Sequence, residues 1–145
     1  MRLTSFTDYG LRTLMRLAGA PDRAFTTDEI AAEFRISRHH LTKVVQDLSR
    51  AGYVDARRGA GGGLRLSKPS ESITLGEIVR LLEKRHAMVE CFRADGGHCT
   101  LTAACRLRSK LAAAREAFLE ALDATALADC AYPGPGREFA VSGAA

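Results

Sequence analysis

Cys91, Cys99 and Cys105 fall within one stretch of 15 residues, spaced Cys-x7-Cys-x5-Cys, and Cys130 stands further on. Three thiolates drawn within about 4 Å of one another repel strongly unless a cation neutralises them. A metal or a cluster is therefore the occupant this pattern suits, and thiolates select zinc, cuprous copper or iron–sulfur. The spacing does not match the C-x2-C knuckles of structural zinc sites. Three cysteines leave a fourth coordination position open, for which His86, His98, Cys130 or a residue from the N-terminal half could serve. Cys130 lies at the edge of a Pro-Gly-Pro-Gly stretch and reads as an incidental thiol.

A second chemistry lies upstream. Leu41, Val44, Val45 and Leu48 occupy positions i, i+3, i+4 and i+7, so the opposite face of the same helix carries His39, Lys43, Gln46 and Arg50, with Arg38 at its start and Thr42 on its flank. Arg57-Arg58-Gly59-Ala60-Gly61-Gly62-Gly63 follows, closed by Leu64-Arg65-Leu66. Arginines flanking a tip without side chains suit insertion beside a phosphate backbone or into a minor groove. The glycines do not fit G-x-G-x-x-G and no helix opens directly after them, so this is no dinucleotide loop.

The elements that must position these residues are short. A helix is expected from Phe6 to Ala18, opened by a Ser5/Asp8 capping box, with Asp8 also placed to pair with Arg12 at i+4. A second helix starts at a Thr26/Glu29 capping box, and Ser37 is the expected cap of the third. Gly52 ends that helix, Tyr53 to Ala56 reads as a strand, and Leu64 to Leu66 returns. A helix, a tight turn, a second helix with a basic outer face and a basic hairpin define a winged helix-turn-helix, whose ligand is double-stranded DNA. Thr74 and Glu77 form a further capping box before a helix running to about Lys84, and residues 86 to 105 lose all periodicity. From Leu107 a long helix carries Leu111, Ala114, Phe118, Ala121 and Leu122, a stripe too extended for so small a domain to cover, which predicts a dimer.

The expected fold is thus mainly α with a small β-hairpin wing. Residues 1–68 form the DNA-binding domain, 69–85 a connecting helix, 86–106 the cysteine loop, 107–129 a dimerisation helix and 130–145 a disordered tail. The charge follows the same division. Residues 1–68 hold 12 Lys and Arg against 7 Asp and Glu, and the remainder 9 against 10, so the whole net charge of +4 comes from the first part. With 145 residues the chain is too short for a large enzyme barrel. No nucleophile elbow, phosphate loop or C-x-x-C is present, so no enzyme is expected. The N-terminus lacks the apolar run of a signal peptide, placing the protein in the cytoplasm with its thiols reduced.

MRLTSFTDYGLRTLMRLA, ISRHHLTKVVQDLSRAGYV, RRGAGGGLRLSKP, ITLGEIVRLLE, VECF and CTLTAAC followed by Arg106-Leu107 occur in order over residues 1 to 129. Together they resemble the nitric-oxide-sensing branch of the IscR-type winged-helix iron–sulfur repressors. The resemblance implies a homodimeric repressor in which Cys91, Cys99 and Cys105 bind a 2Fe-2S or 4Fe-4S cluster. It also implies that Asp8 supplies the fourth ligand from the partner subunit, with Arg12 behind it. The implied DNA-reading residues are Arg38, His39, Thr42, Lys43, Gln46, Arg57, Arg58, Gly61, Gly62 and Arg65, on a pseudo-palindromic operator with half-sites about 10 bp apart or a multiple of that. The neighbouring branch uses a histidine three residues after the last cysteine, and position 108 here is Arg. Seven residues between the first two cysteines is long for the family. Sensing of general oxidation or iron supply, and a zinc-stabilised winged helix, are the alternative readings.

Overall fold

A computed structural model describes residues 2–101 and 104–137. Helix α1 spans Ser5–Ala18. Its cap is Thr4, whose hydroxyl accepts from the Thr7 amide, and not the expected Ser5. Asp8 N–H donates to the Thr4 carbonyl at 3.0 Å as an ordinary helical bond, so the Asp8 carboxylate has no capping duty. Helix α2, Thr27–Phe34, opens with the expected capping box: Glu29 N–H donates to Thr26 Oγ1 and Thr26 N–H to the Glu29 carboxylate. The carboxylate is held below its ordinary pKa, chiefly by that Thr26 backbone donor. Thr26→Ala removes the hydroxyl that accepts from Glu29 N–H, leaves the backbone half of the box, and is expected to lower unfolding free energy by about 1 kcal/mol in urea titrations.

Helix α3, Arg38–Arg50, lays Leu41, Val44, Val45 and Leu48 against the core, as the periodicity predicts. Ser37 occupies its cap position but makes no side-chain capping bond. Strands β1, Val54–Arg57, and β2, Gly63–Leu66, pair antiparallel with Val54 opposite Leu66 and Arg57 opposite Gly63. Arg57 thus ends a strand, and the turn proper starts at Arg58. The hairpin is not free-standing. Phe25 and Leu64 exchange both backbone hydrogen bonds, at 3.1 and 2.7 Å, which pins the wing's root to the segment before α2.

Helix α4, Leu75–Glu83, starts at Thr74, which accepts from Glu77 N–H. The reciprocal half of the expected box is absent. The Glu77 carboxylate turns instead toward Tyr53, whose hydroxyl is pushed up to about 12 by burial and by that carboxylate. Helix α5, Arg106–Asp123, packs on α4. Arg80 clamps the two helices, donating from both terminal nitrogens to Asp123 at 2.6 and 2.7 Å. A Cβ at Gly76 would stand 2.0 Å from the Asp123 carboxylate, so this helix crossing requires glycine.

One core joins α1 to α4 with the wing root, through Leu14, Leu17, Phe25, Ile30, Leu41, Leu48, Val54, Ile78 and Leu127. Helix α5 contributes little to it. Leu119 is its one buried residue among those described, Leu111 and Leu122 are half-buried, and Ala114, Phe118 and Ala121 face outward with Leu107, which is 62% exposed.

The expected disorder from residue 130 is corrected up to the last described residue. Ala131 to Gly134 fold back on α1: Tyr132 N–H donates to the Met15 carbonyl at 2.8 Å, and Arg16 donates to the Pro133 carbonyl at 3.1 Å. The aromatic ring of Tyr132, 5.9 Å from that of Phe34, supplies an anchor that a composition rich in Pro and Gly conceals. Residues 138–145 lie outside the described residues.

Candidate nucleic-acid interface and cysteine pocket

The reading face is built by α3 and the hairpin. His39, Thr42, Lys43 and Gln46 are all exposed, on the side opposite the buried Leu41, Val44, Val45 and Leu48. On α3, two of the expected contact residues are partly committed. Thr42 donates its hydroxyl proton to the Arg38 carbonyl at 2.8 Å, leaving a methyl group and acceptor lone pairs for a base edge. Arg38 pairs with Asp28 at 2.8 Å across an exposed surface, an association weak enough for phosphate to displace. His40, absent from the expected set, is exposed beside His39 with ring centroids 6.1 Å apart.

In the wing, Arg57, Arg58 and Arg65 are exposed. Asp55 holds Arg57 at 2.8 Å, while Arg58 forms no ion pair among the described residues. The glycines are structural necessities and not only a flexible tip. A Cβ at Gly62 would lie 2.4 Å from the Arg57 carbonyl, and Gly63 sits at φ 131° against the Phe25 backbone. The turn that presents Gly61 and Gly62 is therefore shaped in advance.

Cys91, Cys99 and Cys105 follow the C-terminal end of α4. The chain leaves Glu83 through a turn in which His86 N–H donates to the Glu83 carbonyl, then a 3-10 turn at Glu90–Phe92. Arg93 grips Asp95 through two bonds, at 3.1 and 2.7 Å. The Glu90 carboxylate accepts from His98 N–H at 3.0 Å. This loop holds its shape by such local bonds, with no core of its own.

Cys91 and Cys105 both line an open pocket of about 1290 Å³ between the end of α4, the loop and the start of α5. Cys105 is the residue that opens α5. Cys99 is not among the pocket's lining residues, and no group of three ligating side chains is close enough to hold a metal ion among the described residues. Two of the three clustered thiols, those of Cys91 and Cys105, thus share the pocket. The turn bonds at Glu90–Phe92 and Gly96–Gly97 set the path of the loop between Cys91 and Cys99. None of the four cysteines is in a disulfide.

Lys84, Arg106 and Arg108 also line the pocket and form no ion pair among the described residues. Soft thiolate donors, room well beyond a cluster's size and an excess of cations suit an anionic thiolate-held group. Asp8 is half-buried on α1 and does not line its own chain's pocket; Arg12 holds it at 2.8 and 3.1 Å.

A residue the spacing did not flag stands between these regions. Glu83, at the pocket wall, accepts from the Thr4 amide and hydroxyl, both at 2.8 Å, and from the Thr7 hydroxyl. Burial opposes its ionisation, but the bonds from Thr7 and Thr4, with His86 nearby, outweigh it and lower its pKa. This link is therefore complete above the ordinary glutamate range and is lost as pH falls through the lowered value.

The fold and its basic face define a winged helix-turn-helix transcriptional regulator. The Rrf2 family, described as iron-dependent transcriptional regulators, matches residues 3–133. The chain belongs to that family. It is 49% identical over 131 residues to the HTH-type transcriptional regulator NsrR of Geobacillus kaustophilus, covering 89% of this chain and 88% of that protein. Among solved structures it is similar to CymR (YrzC), the global cysteine regulator of B. subtilis, at 31% identity and a TM-score of 0.72, over 90% of this chain and 96% of that one. The oxidized form of Staphylococcus aureus CymR follows at 29% identity and 0.70, with the same coverage. T. potens IscR, at 24% identity and 0.70 over 89% and 85% of the two chains, shares the fold. These relatives are regulators, in agreement with the expectation that the chain is no enzyme. No helix among the described residues is long and apolar enough to cross a membrane.

Proposed function

We propose that the chain is a homodimeric repressor that senses nitric oxide through an iron–sulfur cluster held by Cys91, Cys99 and Cys105, with Asp8 of the second subunit as the fourth ligand. The observation that carries this reading is the pocket lined by Cys91 and Cys105 within a cationic wall, in a chain 49% identical to a regulator named NsrR. Three thiolates and a carboxylate around either cluster type leave a net negative charge, which Lys84, Arg106 and Arg108 would offset. When bound, the cluster supplies iron to which nitric oxide adds.

The protein's own part is the choice of ligand. A carboxylate is a hard, weak ligand for iron beside thiolates, so Asp8 would be the most weakly held of the four ligands. Asp8 has no capping role, and Arg12 would be its alternative partner, as in the pair the two form within one chain. Residues 1–68 read DNA, 69–85 connect, 86–106 sense and 107–129 dimerise in this scheme, with the outward face of Leu107, Ala114, Phe118 and Ala121 meeting its counterpart. His39, Thr42, Lys43 and Gln46 enter the major groove and the Arg58 turn tracks the backbone.

The test is anaerobic purification, visible absorption, and binding to a pseudo-palindromic duplex before and after stoichiometric nitric oxide. A coloured protein whose affinity falls about 5- to 150-fold fits the reading. Asp8→Ala should keep the colour and weaken the response or the affinity. A colourless zinc protein indifferent to nitric oxide would refute it.

A further inference from the structure

We infer that Glu83 is the positioning residue that ties the start of α1 to the wall of the cysteine pocket, so that the pocket's state reaches the DNA-reading helix within one chain. The inference rests on the sensing reading above and adds its route. The tie is made of three donors to one carboxylate: the Thr4 amide, the Thr4 hydroxyl and the Thr7 hydroxyl. Thr7 is fully buried, which excludes water as a substitute partner for its hydroxyl.

Helix α1 then leans on both neighbours at a single point. A Cβ at Gly10 would stand 2.3 Å from Leu82 of α4 and 3.4 Å from Val44 of α3, so the three helices pack without slack there. A second strand of the route bypasses α1: Arg85, also on the pocket wall, reaches Asp47 of α3 at 3.8 Å. At 3.8 Å that pair is beyond hydrogen-bonding distance and its Arg85 side is exposed, whereas the Glu83 bonds are short, part-buried and charge-assisted, so Glu83 carries the larger share. Because Asp8 lies one turn beyond Thr4, the same tie sets where α1 offers its carboxylate. Each Glu83 would thereby face its own pocket while aiming Asp8 at the other.

Glu83→Gln and Thr7→Val test this, with Thr7→Ser as the conservative rescue. In the iron-free protein, hydrogen exchange over residues 4–9 should quicken about tenfold in the first two and stay near wild type in Thr7→Ser, since one charge-assisted bond shifts an opening equilibrium by about that factor. In the iron-loaded protein the visible spectrum should persist. The ratio of duplex affinities before and after nitric oxide should shrink toward about twofold in Glu83→Gln and Thr7→Val and be restored in Thr7→Ser. A purely structural residue would scale both affinities together and leave the ratio fixed. Quickened exchange with an unchanged ratio overturns the relay, and unchanged exchange overturns the tie itself. If wild type shows no response to nitric oxide, the sensing reading fails, while the exchange measurement still decides the tie. Should Glu83→Gln fail to fold, Thr7→Val against Thr7→Ser separates the same outcomes.

Discussion

Cys105→Ser should yield a colourless protein that no longer retains iron and whose affinity for a pseudo-palindromic duplex is the same with and without nitric oxide. The expected loss of affinity relative to the loaded wild type is about 5- to 150-fold, the span of a coupling of about 1 to 3 kcal/mol. The effect is large because Cys105 belongs to two structures at once: it lines the pocket and is the first residue before α5. Serine keeps the size but replaces a soft donor with a hydroxyl that does not ionise near neutral pH. Cys130→Ser is the matched control, since Cys130 stands beyond the far end of α5 in the turn Leu127–Cys130 and lines no part of the pocket. Equal loss of iron in both variants would show that the pocket cysteines have no special role.

Arg16→Ala should cost about 3–5 kcal/mol of unfolding free energy, the range for breaking one side of a buried ion pair. Arg16 is 6% exposed in the last turn of α1. It pairs with Glu33 at 2.9 Å, donates to the Pro133 carbonyl, and lies 4.4 Å from the Phe25 ring. Arg23 covers the same ring at 4.4 Å, so Phe25 is held between two guanidinium groups at the wing's root. Alanine would leave the Glu33 carboxylate enclosed without its cation. Arg16→Met combined with Glu33→Leu should recover most of the loss, because it removes both charges and restores the volume. Chemical denaturation decides: a loss under about 1 kcal/mol would place the pair with exposed ones.

The parts of this fold that are legible in the sequence are those set by neighbours along the chain. The periodicity of Leu41, Val44, Val45 and Leu48 and the Thr26/Glu29 box each state a local geometry, and the structure has both. The features that sequence misleads on depend on contacts distant along the chain. Ser5 and Asp8 imitate a capping box, but Thr4 takes the cap because Glu83, 79 residues away, orients its hydroxyl. The Pro-Gly stretch hides Tyr132, whose place is fixed by Met15 and Phe34. The burial of Arg16 depends on Glu33 and Pro133, 17 and 117 positions away, and has no signal in its own helix. In the site itself, residue types point to thiolate chemistry, while the cationic wall of Lys84, Arg106 and Arg108 depends on how the end of α4 meets the start of α5 and is not written in the cysteine spacing.

The return of residues 131–134 to α1 bears on how the protein is made. The first helix is completed by a segment more than 100 positions downstream of it, with Leu127 in the common core and Tyr132 bonded to Met15. Such long-range closure is slow to form. A growing chain on the ribosome therefore cannot finish its DNA-reading head until the cysteine loop and α5 have already emerged. The order of synthesis thus brings out the cysteine loop and α5 before the winged head is complete, and a half-made regulator has little opportunity to occupy DNA.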